Sequence, residues 1–326
     1  MAEKMRDLVQ ECLRSDDRRP LRLFVGGASR GGTTLVQRLI ADWLDLHTLP
    51  ETQFFANTIG NLESRRFPTT ARPMSTLRRS SSRVRQMLGR STGAAPVNID
   101  GHLSMEGRRW QPVRRVTREF VARLDRDAAG RSGWVEKTPF HSLYAREIDR
   151  LVADATIVHV IRDPRETIGS IRDAARTYDD PWGAIYDRVE RDVDAWNAAM
   201  RSSSRMVGRR RHIFVPFDAV CAAPEAAMGL IAKSVGVQRA LARGFRAGGA
   251  GTCLTLDGAE PWKSQAKVGA VRAPVSKWSS ALTPCEQRRA EALIAPIPAA
   301  LAAALDSFRG EVAVATAAPA PGAAAA

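Results

Sequence analysis

The segment Leu21 to Ile40, LRLFVGGASRGGTTLVQRLI, joins an apolar run to two glycine pairs and then to an amphipathic repeat. Leu21, Leu23, Phe24 and Val25 suit a buried strand, and Leu35, Val36, Leu39, Ile40, Trp43 and Leu44 recur with helical period. The residues between them therefore form a strand-to-helix turn. At Gly26, Gly27, Gly31 and Gly32 backbone amides can approach an anion closely, and a helix beginning near Thr33 aims unpaired amides and its positive dipole end at the same point. Read from Gly26, the segment follows the nucleotide-binding pattern G-x-x-x-x-G-K-[ST] until Gly32 stands where the lysine belongs. The positive charge is Arg30 instead, one residue before the second glycine pair.

A second strand and helix carry matching chemistry. Thr156 to Ile161, TIVHVI, reads as a short β-branched buried strand. Asp163, Pro164 and Glu166 then supply an N-cap, a first-turn proline and a capping-box glutamate. Arg162 stands at the strand end and Ser170 eight residues on. A guanidinium fork binds phosphate bidentately, and a hydroxyl on the next helix adds one further bond.

The R-G-G-T-T run, with Arg162 and Ser170, resembles the two phosphate-binding motifs of sulfotransferases that use 3′-phosphoadenosine-5′-phosphosulfate (PAPS) and release 3′-phosphoadenosine-5′-phosphate (PAP). The resemblance is nearest to tyrosylprotein sulfotransferases and bacterial carbohydrate or small-molecule sulfotransferases. It implies that Arg30, Gly31, Gly32, Thr33 and Thr34 hold the donor's 5′-phosphosulfate and that Arg162 and Ser170 hold its 3′-phosphate. Further stretches extend it. Glu51, in Pro50-Glu51-Thr52, lies 21 residues beyond Arg30, where that family has its catalytic glutamate. Lys137, in WVEKTPFH, resembles a lysine that stabilises the departing group. Ser276-Lys277-Trp278 resembles a donor-contacting S-K-W segment, so Lys277 and, upstream, Ser264 are implied donor contacts. Phe217 departs from the pattern, because the family has a nucleotide-contacting tyrosine there. Cytosolic sulfotransferases use a mid-chain histidine as base, which makes His102 the alternative to Glu51. His141 and His159 read as structural.

The implied reaction is direct in-line transfer of a sulfuryl group to a hydroxyl acceptor, a small molecule, glycan or peptide. Glu51 would take the proton, and Arg30 and Lys137 would neutralise charge on the leaving phosphate. No metal is expected, since no His/Cys cluster has ligand spacing and two cations stand where magnesium otherwise would. Two other classes compete. A P-loop kinase needs the lysine that Gly32 replaces, and a nucleic-acid-binding module needs a recognition signature that is absent.

Composition fits one large α/β core: 326 residues, 44% hydrophobic and 26% charged. The net charge of +14 is uneven. Residues 63–118 hold 13 Arg, no Lys and three acids. Such an insertion suits a lid for an anionic acceptor or a surface elaboration, and no specific nucleic-acid binding is expected. Residues 1–20 carry no continuous apolar run and Cys12, Cys221, Cys253 and Cys285 are scattered, so a cytoplasmic enzyme with reduced thiols, not inserted in a membrane, is expected. Residues 311–326 are Ala/Pro-rich and are expected to be disordered. The predicted organisation is an N-terminal extension to residue 20, one domain over 21–310 and that tail. Strands separated by helices predict a three-layer, P-loop-like α/β domain with a central parallel sheet and helices on both faces.

Overall fold

A computed structural model describes residues 19–71, 110–178, 183–237, 271 and 275–317. Its centre is a five-stranded parallel sheet in the order β2-β3-β1-β4-β5. The strands are β1 Leu21–Gly27, β2 Leu46–Thr48, β3 Gly133–Lys137, β4 Ala155–Ile161 and β5 His212–Pro216. The longer helices are α1 Thr33–Leu44, α2 Trp110–Asp127, α3 Ala145–Leu151, α4 Pro164–Thr177, α5 Val189–Ser204, α6 Pro224–Ser234, α7 Pro284–Leu293 and α8 Ala299–Ala317.

Side chains alternate across the sheet and define two cores. On one face Leu23, Val25, Val135, Val158, Val160 and Val215 pack against Val36, Leu39 and Ile40 of α1 and Met228 and Ile231 of α6. On the other Phe24, Trp134, Ile157 and Phe214 meet Val121 and Leu124 of α2, Ile148 of α3 and Trp196 and Met200 of α5. A parallel sheet needs both faces covered, and the near-continuous apolar strands supply both. α8 belongs to both layers: Leu301 and Leu305 join one core, Phe308 and Val312 the other. It packs beside β5, the strand at that edge of the sheet.

The chain leaves β1 in one direction to build β2 and β3, then crosses to the other side for β4 and β5. Ligands in open α/β sheets bind at such a switch, outside the strands' carboxyl ends. Register makes that rim level: Val25 pairs with Lys137, Gly27 with Val160, and Ile161 with Pro216. Lys137, the loop after Gly27, Arg162 and Phe217 therefore end four adjacent strands on one side.

Three differences from the sequence reading appear. β2 is a three-residue strand that no run of apolar residues announces. The two ends of the basic insertion are helical, at Leu62–Arg66 and along α2, while residues 72–109 lie outside the described part. The expected disorder from residue 311 is corrected over its first part, because α8 continues to Ala317 and buries Val312. Among the described residues, no helix is long and apolar enough to cross a membrane.

Candidate active site

The loop between β1 and α1 is closed by its own backbone. The Gly31 amide donates to the Ala28 carbonyl at 3.0 Å, so that one donor of the expected nest is engaged within the loop. Gly32 caps α1 with φ near 89°, a conformation that glycine adopts without penalty, and it brings no side chain to satisfy the amides that follow. Its lack of a side chain is required twice over, because a Cβ there would lie 2.1 Å from the Phe217 ring. Likewise a Cβ on Gly27 would lie 2.5 Å from the Val160 carbonyl oxygen. Thr33 is buried and Thr34 half-buried in the first turn of α1. Ser29 is buried and accepts a 2.7 Å hydrogen bond from the Tyr186 hydroxyl, a tie that joins the loop to the segment ahead of α5.

Arg30, Arg162 and Ser170 meet directly. Arg30 Nε donates to Ser170 Oγ at 3.2 Å, and Arg162 Nη1 donates to the Arg30 carbonyl at 3.1 Å. Arg162 Nη2 also reaches Glu166 Oε2 at 3.2 Å. The Asp163 carboxylate caps α4 by accepting from the Glu166 amide at 3.1 Å, as its position predicts, but Glu166 turns its own carboxylate to Arg162. Burial lowers the Arg162 pKa and Glu166 opposes that, which leaves a guanidinium that is poorly hydrated and suited to an anion. Its carbon lies 5.3 Å from the centre of the Phe217 ring. Phe217, without a hydroxyl, thus gives a cation–π face to Arg162 and an apolar wall to Gly32.

On the neighbouring strand end Lys137 Nζ is paired with Glu51 Oε1. Lys137 is 2% exposed, so this pair is largely removed from water. Glu51 sits in the stretch between β2 and the short helix Phe54–Ile59, and Gln37 of α1 steadies its start by donating from Nε2 to the Leu49 and Val135 carbonyls, each at 3.3 Å.

Lys277 lies against α4, one turn beyond Ser170, and its Nζ pairs with Asp173. The short helix Trp278–Ala281 can sit that close because residue 169 is glycine: a Cβ there would lie 2.8 Å from the Trp278 amide nitrogen. Ser264 and His102 lie outside the described residues. Among the described residues, no group of three or more His, Cys, Asp and Glu could hold a metal ion.

Sequence reasoning missed the groups beneath these contacts. Glu136, fully buried, gathers Thr52, Thr138 and His141 around one carboxylate. His159, by contrast, is structural as its sequence setting suggests: it hydrogen-bonds Ser203 and His212 in the interior, and burial pushes its pKa down to about 3.

A family model described as the sulfotransferase family matches residues 20–240, which is more than half of the chain. The chain belongs to the sulfotransferase family, and with it to the transferases. Several solved structures are similar to it in fold. The sulfotransferase domain of the olefin synthase from Synechococcus PCC 7002 is 16% identical, with 89% of this chain and 94% of that chain covered and a TM-score of 0.45. The sulfotransferase from Alicyclobacillus acidocaldarius is 14% identical, with 90% and 99% covered and a TM-score of 0.47. Sulfotransferase STF1 from Mycobacterium tuberculosis H37Rv is 16% identical, with 70% and 71% covered and a TM-score of 0.43. No curated protein matches the chain.

Proposed function

We propose that this sulfotransferase moves a sulfuryl group from PAPS to a hydroxyl acceptor by direct in-line transfer and releases PAP. The observation that carries the reading is the contact of Arg30 with Arg162 and Ser170, 132 and 140 residues away in sequence, beside the Lys137–Glu51 pair on the next strand. A donor with a phosphate at each end of a ribose requires two cationic anchors on one rim, and these residues have that chemistry. The glycines at 27 and 32, whose positions admit no Cβ, keep the loop low enough for a phosphate to approach its amides.

In this mechanism Arg30 and the first-turn groups of Thr33 and Thr34 bind the phosphosulfate, and Arg162 and Ser170 bind the 3′-phosphate. Ser264 and Lys277 are proposed as further donor contacts. The Lys277–Asp173 pair leaves that side chain one turn from Ser170. Glu51 accepts the acceptor's hydroxyl proton as the new oxygen–sulfur bond forms. The bond from sulfur to the bridging oxygen breaks, and its electron pair leaves on the 5′-phosphate of PAP. Arg30 and Lys137 neutralise that charge. Lys137 is well suited to the task because it is already desolvated, and a charge in a water-poor setting acts strongly on its neighbours.

The acceptor is a small molecule, glycan or peptide hydroxyl. Cys221 and Cys285 are free thiols, which agrees with action in a reducing compartment such as the cytoplasm. Labelled PAPS offered with a panel of phenols, sugars and tyrosyl peptides tests the reading: label should pass to one class without added metal. Transfer of phosphate from ATP in its place would refute it.

A further inference from the structure

Glu136 lies next to Lys137 on β3, and strand alternation sends their side chains to opposite sides. Lys137 turns to Glu51, while Glu136 is fully enclosed. Inside, Glu136 Oε1 accepts from the Thr52 amide at 2.9 Å, the Thr52 hydroxyl at 3.1 Å and the Thr138 hydroxyl at 2.9 Å. Its Oε2 meets His141 Nε2. Two of these donors pass the tie onward. The Thr138 hydroxyl oxygen accepts from the Gln53 amide at 3.2 Å, and the Thr52 hydroxyl oxygen accepts from the Phe54 amide at 3.1 Å. One carboxylate therefore fixes the backbone of the three residues after Glu51, directly or through the hydroxyls of Thr52 and Thr138.

The backbone needs that tie. Gln53 has φ near 50°, a left-handed conformation costing a non-glycine residue about 1 kcal/mol or more, which persists only when its surroundings impose it. Burial pushes the Glu136 carboxyl up, but the charge and hydrogen bond of His141 with the bonds from Thr52 and Thr138 outweigh burial and hold it below its ordinary value. It therefore stays an anion, and a buried anion with its partners all in place is a rigid anchor.

We propose that Glu136 is a positioning residue for sulfuryl transfer, setting the separation and facing of Glu51 and Lys137 through Thr52 and Thr138 while touching no reacting atom. The inference rests on the functional reading above. It deepens that reading by assigning the geometry of the base to a residue on the far side of the strand.

The test compares Glu136→Gln, Thr138→Val and Thr138→Ser in the full chain. PAP affinity is measured by calorimetry, transfer from labelled PAPS to a panel of phenols and to water by product mass, and exchange of the Thr52 and Gln53 amides by hydrogen–deuterium exchange. Thr138→Val removes the hydroxyl link at nearly constant volume, and Thr138→Ser restores it. Glu136→Gln and Thr138→Val should keep PAP affinity and KM near the parent's and lose about 100-fold in kcat, with faster exchange at the Thr52 amide in Glu136→Gln and at the Gln53 amide in Thr138→Val. Thr138→Ser should behave as the parent. Variants that turn over and exchange like a competent parent overturn this inference alone. A loss of kcat matched by an equal loss of PAP affinity also overturns it, marking Glu136 as a residue of the fold. A parent that neither binds PAP nor transfers overturns the functional reading, and this inference with it.

Discussion

At the scale of single residues, the proposed function gives the two halves of the rim separable tasks. Arg162 donates to the backbone of the β1–α1 loop, and on that proposal it also holds an anion, so its removal should affect donor binding before chemistry. Arg162→Ala should weaken PAP binding by about 10- to 100-fold, the 1.5–3 kcal/mol of a hydrogen bond to a charged group, as read by calorimetry. Glu51→Gln keeps the shape of the side chain and removes the proton acceptor. It should abolish transfer in a labelled-donor assay while PAP affinity stays within about twofold, since a base acts on the chemical step. Full activity in that variant would move the base elsewhere, to His102 in the first instance. The meeting of Arg30, Arg162 and Ser170 was legible in the residues themselves. Arg162 and Ser170 are bound to local signals, a strand end and a helix start, and their spacing survives in a single sequence. Glu136 was not legible, because a carboxylate beside a site lysine reads as one more charge until strand parity and the Thr52–Thr138 contacts turn it inward.

Among elements, glycine controls how closely the parts of the site approach. Gly169 of α4 lets the Trp278–Ala281 helix rest its backbone on the turn that carries Ser170. Gly169→Val should force the two apart, costing about 1–3 kcal/mol of stability for overpacking and weakening PAP binding together with it, measured by thermal unfolding with and without PAP. If stability falls while the shift given by PAP is unchanged, the helix plays no part in donor binding. The strongest elements were readable from pattern. β1 and β4 are short apolar runs, α1 has clear helical period, and at α7 Thr283 and Glu286 close a capping box. β2 was missed because three residues carry no period, and its strand character comes from pairing with β3. The end of α8 was missed because its Ala-rich sequence lacks a marked apolar stripe; Leu305, Phe308 and Val312 dock it nonetheless.

For the molecule as a whole, buried titratable groups set the response to acid. His159, whose folded pKa of about 3 lies below its ordinary value of 6.5, is held neutral by burial, with His212 opposing its charge further. The unfolded chain binds the proton first, so this contribution is fully present above about pH 6.5 and is lost as pH falls from there toward about 3. Glu136, with its folded pKa depressed, acts in the same direction: its stabilisation is present above the ordinary carboxylate range and is lost as pH falls through its folded value. Asp192, pushed up to about 7 by burial, opposes both over the same range, so in thermal unfolding the His159 part of the decline is read as the difference from a variant that lacks the imidazole. His159→Phe, which can keep the stack on Phe214, should flatten the upper part of that decline. An unchanged slope would remove His159 from the account. The three-layer architecture itself followed from the strand-and-helix order, since a chain with buried strands at 21–27, 133–137 and 155–161 has few other ways to cover both faces. What no pattern could supply is the sheet order, with β1 between β3 and β4, which brings Lys137 and Arg162 to either side of one loop.

That juxtaposition is the centre of the account, and calorimetric titration of PAP into the full chain in the presence of a metal chelator tests it most directly. One PAP should bind per chain without metal, and binding should weaken in Arg162→Ala and persist in Glu51→Gln. No heat with PAP, or binding of ATP that depends on magnesium in its place, would contradict it.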